Sequence, residues 1–184
     1  MKDAFIQYSL GHAEIPPVGE LIMDDPEGEV HIKYGYLKGG KHYVIKIASG
    51  FPANEQVGLI PGQGMMLLFN LSTGEPDAVL IDNANLTVIR TGIAGALASQ
   101  ALVKKSINSA LIIGTGVQAR YQAKYLCDLM SIKKLSIWGR DKEKAEQVKR
   151  DLIDLPVDIT VEDNLEQSAS CLLYTSDAAD DGLS

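Results

Sequence analysis

An α/β chain in two lobes, a mainly antiparallel sheet followed by the first half of a doubly wound parallel sheet, is the fold class this sequence predicts. Three observations carry that expectation. The apolar run Leu111-Ile112-Ile113 stops at Gly114-Thr115-Gly116, and a helical pattern through Tyr121, Leu126 and Met130 begins at once. A second apolar segment (134–138), a helical pattern through Ala145, Val148 and Leu152, and a third candidate strand (157–161) continue an alternation that builds parallel sheets. The first ninety residues differ in texture, with short strand-like runs joined by turns, which suits an antiparallel sheet.

The glycine turn is where this chain places chemistry. A buried parallel strand needs a continuous apolar run, and a phosphate needs backbone N–H groups that nothing bulky obscures. Gly114 and Gly116 supply the tight bend and the close approach, and the helix N-terminus that follows, at Val117 and Gln118, attracts an anion. Ala119 stands at the third glycine position and still permits close helix–strand packing. The turn therefore reads as a dinucleotide pyrophosphate site. Glycine-rich turns also end strands for structural reasons alone, so the reading leans on the strand–helix context.

The residue after the second strand sets the choice between nicotinamide cofactors. An acid there bonds the ribose 2′-OH, whereas an Arg accommodates a 2′-phosphate. About 20 residues beyond the glycine turn lie Gly139, Arg140 and Asp141. Gly139 offers no acid, and Arg140 offers a permanently charged planar fork. NADP(H) is favoured on this count. A second reading stands beside it, in which Arg140 is a solvated helix-start residue and Asp141 reads the ribose of NAD(H).

In the first lobe, residues 30–37 and 43–48 are strand-like with Gly39-Gly40 between them, and 65–70 and 78–81 form another pair. From Leu86 the pattern is helical. Ile89, Ile93, Leu97 and Ala101 step by four, with Gly92, Ala94, Gly95, Ala96 and Ala98 between them, so this helix can pack close to another backbone and connect the lobes. The expected boundaries are a first lobe with its connector helix at 1–107, a partial dinucleotide-binding domain at 108–170, and a tail at 171–184.

Composition bounds the partners. The 184 residues are 46% hydrophobic and 22% charged, as in ordinary globular proteins, and the net charge is −7 with scattered Lys and Arg. That argues against nucleic acid or an anionic membrane as partner. No apolar run approaches the roughly 18 residues of a membrane span, and the N-terminus lacks a signal-peptide pattern. Cys127 and Cys171 make no disulfide framework, Cys127 reading as a small core residue, so a reducing cytoplasm is expected. His12, His31 and His42 lack metal-ligand spacing, and no metal site is expected.

Three segments together resemble a known family: Lys46 in Val-Ile-Lys-Ile-Ala, the run Leu86-Thr-Val-Ile-Arg-Thr91, and Ile-Ile-Gly-Thr-Gly-Val-Gln-Ala-Arg120. Their order and separation look like the ornithine cyclodeaminase/mu-crystallin family, over about residues 10–170. The resemblance implies an N-terminal lobe that holds substrate and dimer interface, and a Rossmann lobe that holds the nicotinamide cofactor. It implies that Lys46 and Arg90 contact a substrate carboxylate, and that Gly114, Gly116, Val117 and Gln118 form the dinucleotide turn. Each cation interrupts an apolar stretch, where burial would be costly without an anionic partner. Pairing with a local acid such as Asp82, or snorkelling to solvent, accounts for the same pattern.

Two departures from the family pattern matter. Where many members carry an Arg after a Pro pair, this chain reads Pro16-Pro17-Val18-Gly19-Glu20, which makes ornithine itself a less secure substrate. The family's catalytic Asp lies in the C-terminal half, so the catalytic residue is expected beyond this chain. The segment from Cys171 to Asp180 resembles one frame of a transposase sequencing adapter, and the chain is expected to be an N-terminal fragment, itself inactive, with a non-native tail.

The resemblance implies a parent that acts at the α-carbon of a small amino or cyclic imino acid. It would convert ornithine to proline and ammonia or reduce a ketimine, as a homodimer. An alanine-dehydrogenase-like member and a non-catalytic NADPH-dependent binding protein of the mu-crystallin kind are the alternatives.

Overall fold

The computed structural model describes residues 1–103, 107–170 and 175–176. Two compact units divide it, Met1–Leu86 and Thr87–Ser184.

The first unit is a sheet with few helical residues, α1 (Lys2–Ser9) and a 3₁₀ turn (Pro52–Val57). Its strands are β1 (Ala13–Glu14), β2 (Gly19–Asp24), β3 (Glu27–Leu37), β4 (His42–Gly50), β5 (Gly62–Asn70) and β6 (Pro76–Ile81). They pair antiparallel in the order β1-β3-β4-β5-β6, with β2 also on β3. The expected strand pairs are present and longer than read. Helix α1 and strands β1 and β2 were not read from the sequence. The signal for β2 was there, since Leu21-Ile22-Met23 precedes the turn residues Asp24-Asp25-Pro26.

The register assigns each residue to a face, because side chains alternate along a strand. One face carries His31 and Lys33 from β3, Lys46 and Ala48 from β4, and Gly64 and Met66 from β5. The opposite face is apolar, with Ile32 and Tyr34 from β3, Ile45 and Ile47 from β4, Met65 and Phe69 from β5, and Val79 and Ile81 from β6. Tyr43 and Phe69 stack there with ring centroids 4.8 Å apart. Much of this face is open, for Val79 is 58% and Ile81 75% exposed.

The second unit holds the packed core. Its sheet comprises β7 (Ser109–Ile113), β8 (Lys134–Trp138), β9 (Asp158–Val161) and the two-residue β10 (Thr175–Ser176), ordered β10-β7-β8-β9 and parallel throughout. Helices α2 (Asn85–Leu102), α3 (Val117–Leu129), α4 (Lys142–Asp151) and α5 (Leu165–Ser170) accompany it. Among the described residues, every fully buried large side chain is here: Leu111, Ile112, Leu135, Ile137 and Val148. Ala119, Ala123 and Ala145 bring helices close to this sheet. Cys127 packs against the same cluster as expected, and burial raises its thiol pKa.

The sequence reading stopped this sheet at three strands. Instead, Thr175 and Ser176 pair with Leu111 and Ile112. The order reverses after the third strand, as in a doubly wound sheet, and an unpaired β7 edge is a ready template for the returning chain. The rest of the expected tail, Cys171 included, lies outside the described residues.

The connector helix α2 falls mostly in the second unit, where the sequence reading grouped it with the first lobe. Its small residues explain this. A Cβ built on Gly92 would lie 2.9 Å from Tyr121 Cβ and 3.1 Å from the Tyr121 backbone carbon, so α2 packs directly on α3. Gln100 also donates to the Leu129 carbonyl at the end of α3, at 2.9 Å. Gly92→Ala should therefore destabilise the chain by about 1–2 kcal/mol despite the better helix propensity of Ala, because the partner helix must move. Denaturant unfolding checks this, and an unchanged or raised midpoint would remove the close-contact account.

Candidate functional site

The strand-to-helix turn after β7 is built for close approach. Gly114 has φ 119°, a region L side chains rarely adopt, and its N–H donates to the Trp138 carbonyl at 2.8 Å, tying the turn to the end of β8. Gly116 is the N-cap of α3, and no side chain caps that helix. No acidic residue lies in its first turn either. A helix whose first N–H groups lack a side-chain partner is an anion site by geometry and by its dipole.

Gln118 sits on the first turn of α3. Its Nε2 approaches the Val88 carbonyl of α2 at 3.4 Å, and its Oε1 is buried with no donor against it. A buried acceptor without a partner is costly, so a ligand N–H at this place would satisfy it. Val117 is 51% exposed beside it. The residues present fit a dinucleotide: a bare helix start, two glycines and an orphaned acceptor.

The β8 end shows how α4 begins. A Cβ on Gly139 would lie 2.5 Å from Thr115 Cγ2, so the two turns touch and a side chain there would collide. Asp141 is occupied as the N-cap of α4, Oδ1 accepting from the Glu143 N–H at 2.9 Å and the Lys144 N–H at 3.2 Å. Arg140 is exposed.

Lys46 is half-buried on β4, and the register sets Lys33 of β3 directly opposite it. The sequence places Lys33 in the strand-like peptide 31–36 but does not pair it with Lys46; counting alternation across the hairpin would have done so. The pairing sets two ammonium groups side by side on one face of the sheet. On the other side β5 sets Met66 opposite Lys46 and Gly64 opposite Ala48. Glu20, which follows the Pro16-Pro17 pair, lies on β2 and approaches His31 at 3.6 Å.

Arg90 is exposed on α2, so burial does not force a partner on it. Asp82, a candidate partner in the sequence reading, accepts the Leu86 N–H at 2.6 Å at the start of α2. Lys46 belongs to the first unit, while Arg90 and the glycine turn belong to the second. Among the described residues no group of three His, Cys, Asp or Glu could hold a metal ion, and no helix is long and apolar enough to cross a membrane.

A further residue missed in the sequence is Arg120. It reaches back from α3 to the glycine turn and forward to Asp151, the last residue of α4. The Gln147 amide and the Arg120 guanidinium beside it hold the Asp151 carboxyl below its ordinary value. A depressed carboxyl stabilises the fold fully above its ordinary value, 3.8, and that stabilisation is lost as the pH falls further. Asp151→Asn should therefore lower the unfolding midpoint at neutral pH and narrow the gap from wild type in acid. A gap that widens as the pH falls would contradict this.

The family described as "Ornithine cyclodeaminase/mu-crystallin family" matches residues 1–172. An uncharacterized cyclodeaminase of Sinorhizobium fredii is 37% identical over 171 residues, 92% of this chain and 52% of its own. The structure of Thermococcus litoralis Δ1-pyrroline-2-carboxylate reductase with NADH and L-proline superposes with a TM-score of 0.82 at 26% identity, covering 91% of this chain and 52% of that one. An archaeal alanine dehydrogenase dimer with bound NAD superposes at 0.78 and 27% identity, covering 88% and 49%. The chain thus spans about half the length of the relatives it matches.

Proposed function

The chain belongs to the ornithine cyclodeaminase/mu-crystallin family, and from that premise we propose that the protein is an NAD(P)-dependent enzyme acting at the α-carbon of a small amino or cyclic imino acid. The observation that carries this reading is the bare start of α3, where Gly114, Gly116, Val117 and Gln118 offer backbone donors and a buried acceptor. A nicotinamide dinucleotide bound there supplies or accepts a hydride at the substrate's α-carbon, in ketimine reduction or in conversion of ornithine to proline and ammonia.

The chain's own residues supply position. Lys46 holds the substrate carboxylate, with Lys33 beside it adding charge. Arg90 offers a substrate carboxylate its planar fork, which orients the neighbouring α-carbon as a point charge cannot. The open apolar face of the first unit supports a homodimer, since such a face is otherwise an aggregation surface. Assay of the full-length protein tests the reading: oxidation of reduced cofactor with pyrroline-2-carboxylate, or release of ammonia from ornithine. Failure of both, and of alanine, would overturn it.

NADP(H) is the proposed cofactor. Asp141 is engaged as a helix cap, Gly139 cannot carry a side chain without displacing Thr115, and Arg140 is exposed at the position suited to a 2′-phosphate. Arg140→Ala should weaken NADPH binding by about 1.5–3 kcal/mol and leave NADH binding almost unchanged. Equal affinity of the wild type for both cofactors would sink the assignment.

Substrate anchoring has its own test. Arg90→Lys should raise KM almost as much as Arg90→Ala, about tenfold or more, because Lys cannot reproduce the bidentate fork. Wild-type kinetics for both variants on every responsive substrate would show that Arg90 does not touch the carboxylate.

A further inference from the structure

Arg120 is placed against electrostatic preference. It is the fourth residue of α3, in the helix's first turn, where a cation opposes the dipole. Its contacts explain why it is there. Nη1 donates to the Thr115 carbonyl at 2.8 Å and to the Gly116 carbonyl at 3.0 Å. Nε donates to Asp151 Oδ2 at 2.7 Å, and Nη2 meets the same oxygen at 2.7 Å. Asp151 is itself fixed, its Oδ1 accepting from Gln147 Nε2 at 2.7 Å, and Gln147 Oε1 accepts from Arg150.

The geometry of the peptide unit gives these bonds a consequence. In a planar trans peptide the C=O and the following N–H point in opposite directions. A guanidinium that holds the carbonyls of Thr115 and Gly116 therefore turns the N–H groups of Gly116 and Val117 the other way, out of the turn. We propose that Arg120 is the positioning residue of the dinucleotide turn, clamped by Asp151 so that these two amides are set for a pyrophosphate. This rests on the reading that the turn holds a nicotinamide dinucleotide. A salt bridge needed only to pack α3 on α4 would not require the two carbonyls, and the packing there already has Ala119, Ala123, Ala145 and Val148. Lys could not replace Arg120, because one ammonium cannot span two carbonyls and a carboxylate in this planar arrangement.

The protein contains one tryptophan, Trp138, whose carbonyl accepts the Gly114 N–H, so its fluorescence reports binding at the turn. The experiment titrates the 184-residue chain and its Arg120→Ala, Arg120→Lys and Asp151→Asn variants with NADPH, ADP and adenosine. Arg120→Ala should raise Kd for NADPH and ADP about tenfold or more, Arg120→Lys nearly as much, and Asp151→Asn less. Adenosine, which lacks the pyrophosphate, should change less than about twofold in each. If Arg120→Ala fails to fold, the other two variants decide. Wild-type affinities for NADPH and ADP in the variants would overturn the clamp alone, as would an equal loss of adenosine, the mark of a structural role. A wild-type chain that binds neither NADPH nor ADP would overturn the dinucleotide reading, and the clamp with it.

Discussion

Backbone amides can face an anion only where the chain leaves one hydrogen-bonding scheme before entering the next, and the second unit is arranged around one such place. Between β7 and α3 the chain uses Gly114 to turn and Gly116 to start the helix without a capping side chain. The surrounding contacts hold that opening in shape. The Gly114 N–H is tied to β8, Thr115 packs on Gly139, and Arg120 ties the turn's carbonyls to the end of α4. Parallel pairing of β7 and β8 makes this possible, because it brings both strand ends to the same edge of the sheet.

α4 consequently touches the site at two places. Its start follows Gly139 and Arg140, where a ribose substituent would be read, and its last residue anchors the clamp on the glycine turn. Between them, Ala145 and Val148 seat the helix on the core. The adenosine ribose and the pyrophosphate of a dinucleotide would thus be gauged by one rigid element rather than by independent loops, which limits how far the turns can drift apart.

The first unit solves a different problem. It has no buried large hydrophobic side chain among the described residues, so its stability rests on strand pairing and on cover for its apolar face. The alternation that exposes this face is the same one that gathers Lys33 and Lys46 on the other. Exposing an apolar face on one side and presenting cations on the other are a single consequence of strand geometry.

The sequence by itself determined the two-lobed α/β architecture, the positions of the main strands and the glycine turn. Each depends on local periodicity or on a residue type with a special backbone, such as Gly114 and Gly116. It determined the family as well, because Lys46, Arg90 and the turn lie in one order along the chain. Only the tertiary structure decided the partners across space. Lys33 faces Lys46 through hairpin register, Asp141 and Asp82 serve helix starts, and α2 joins the second unit because Gly92 lets it touch α3. The link from Arg120 to Asp151 spans thirty-one positions and needs α3 and α4 side by side on one sheet. No periodicity records such pairs, since they arise from where the elements pack and not from the pattern within any of them.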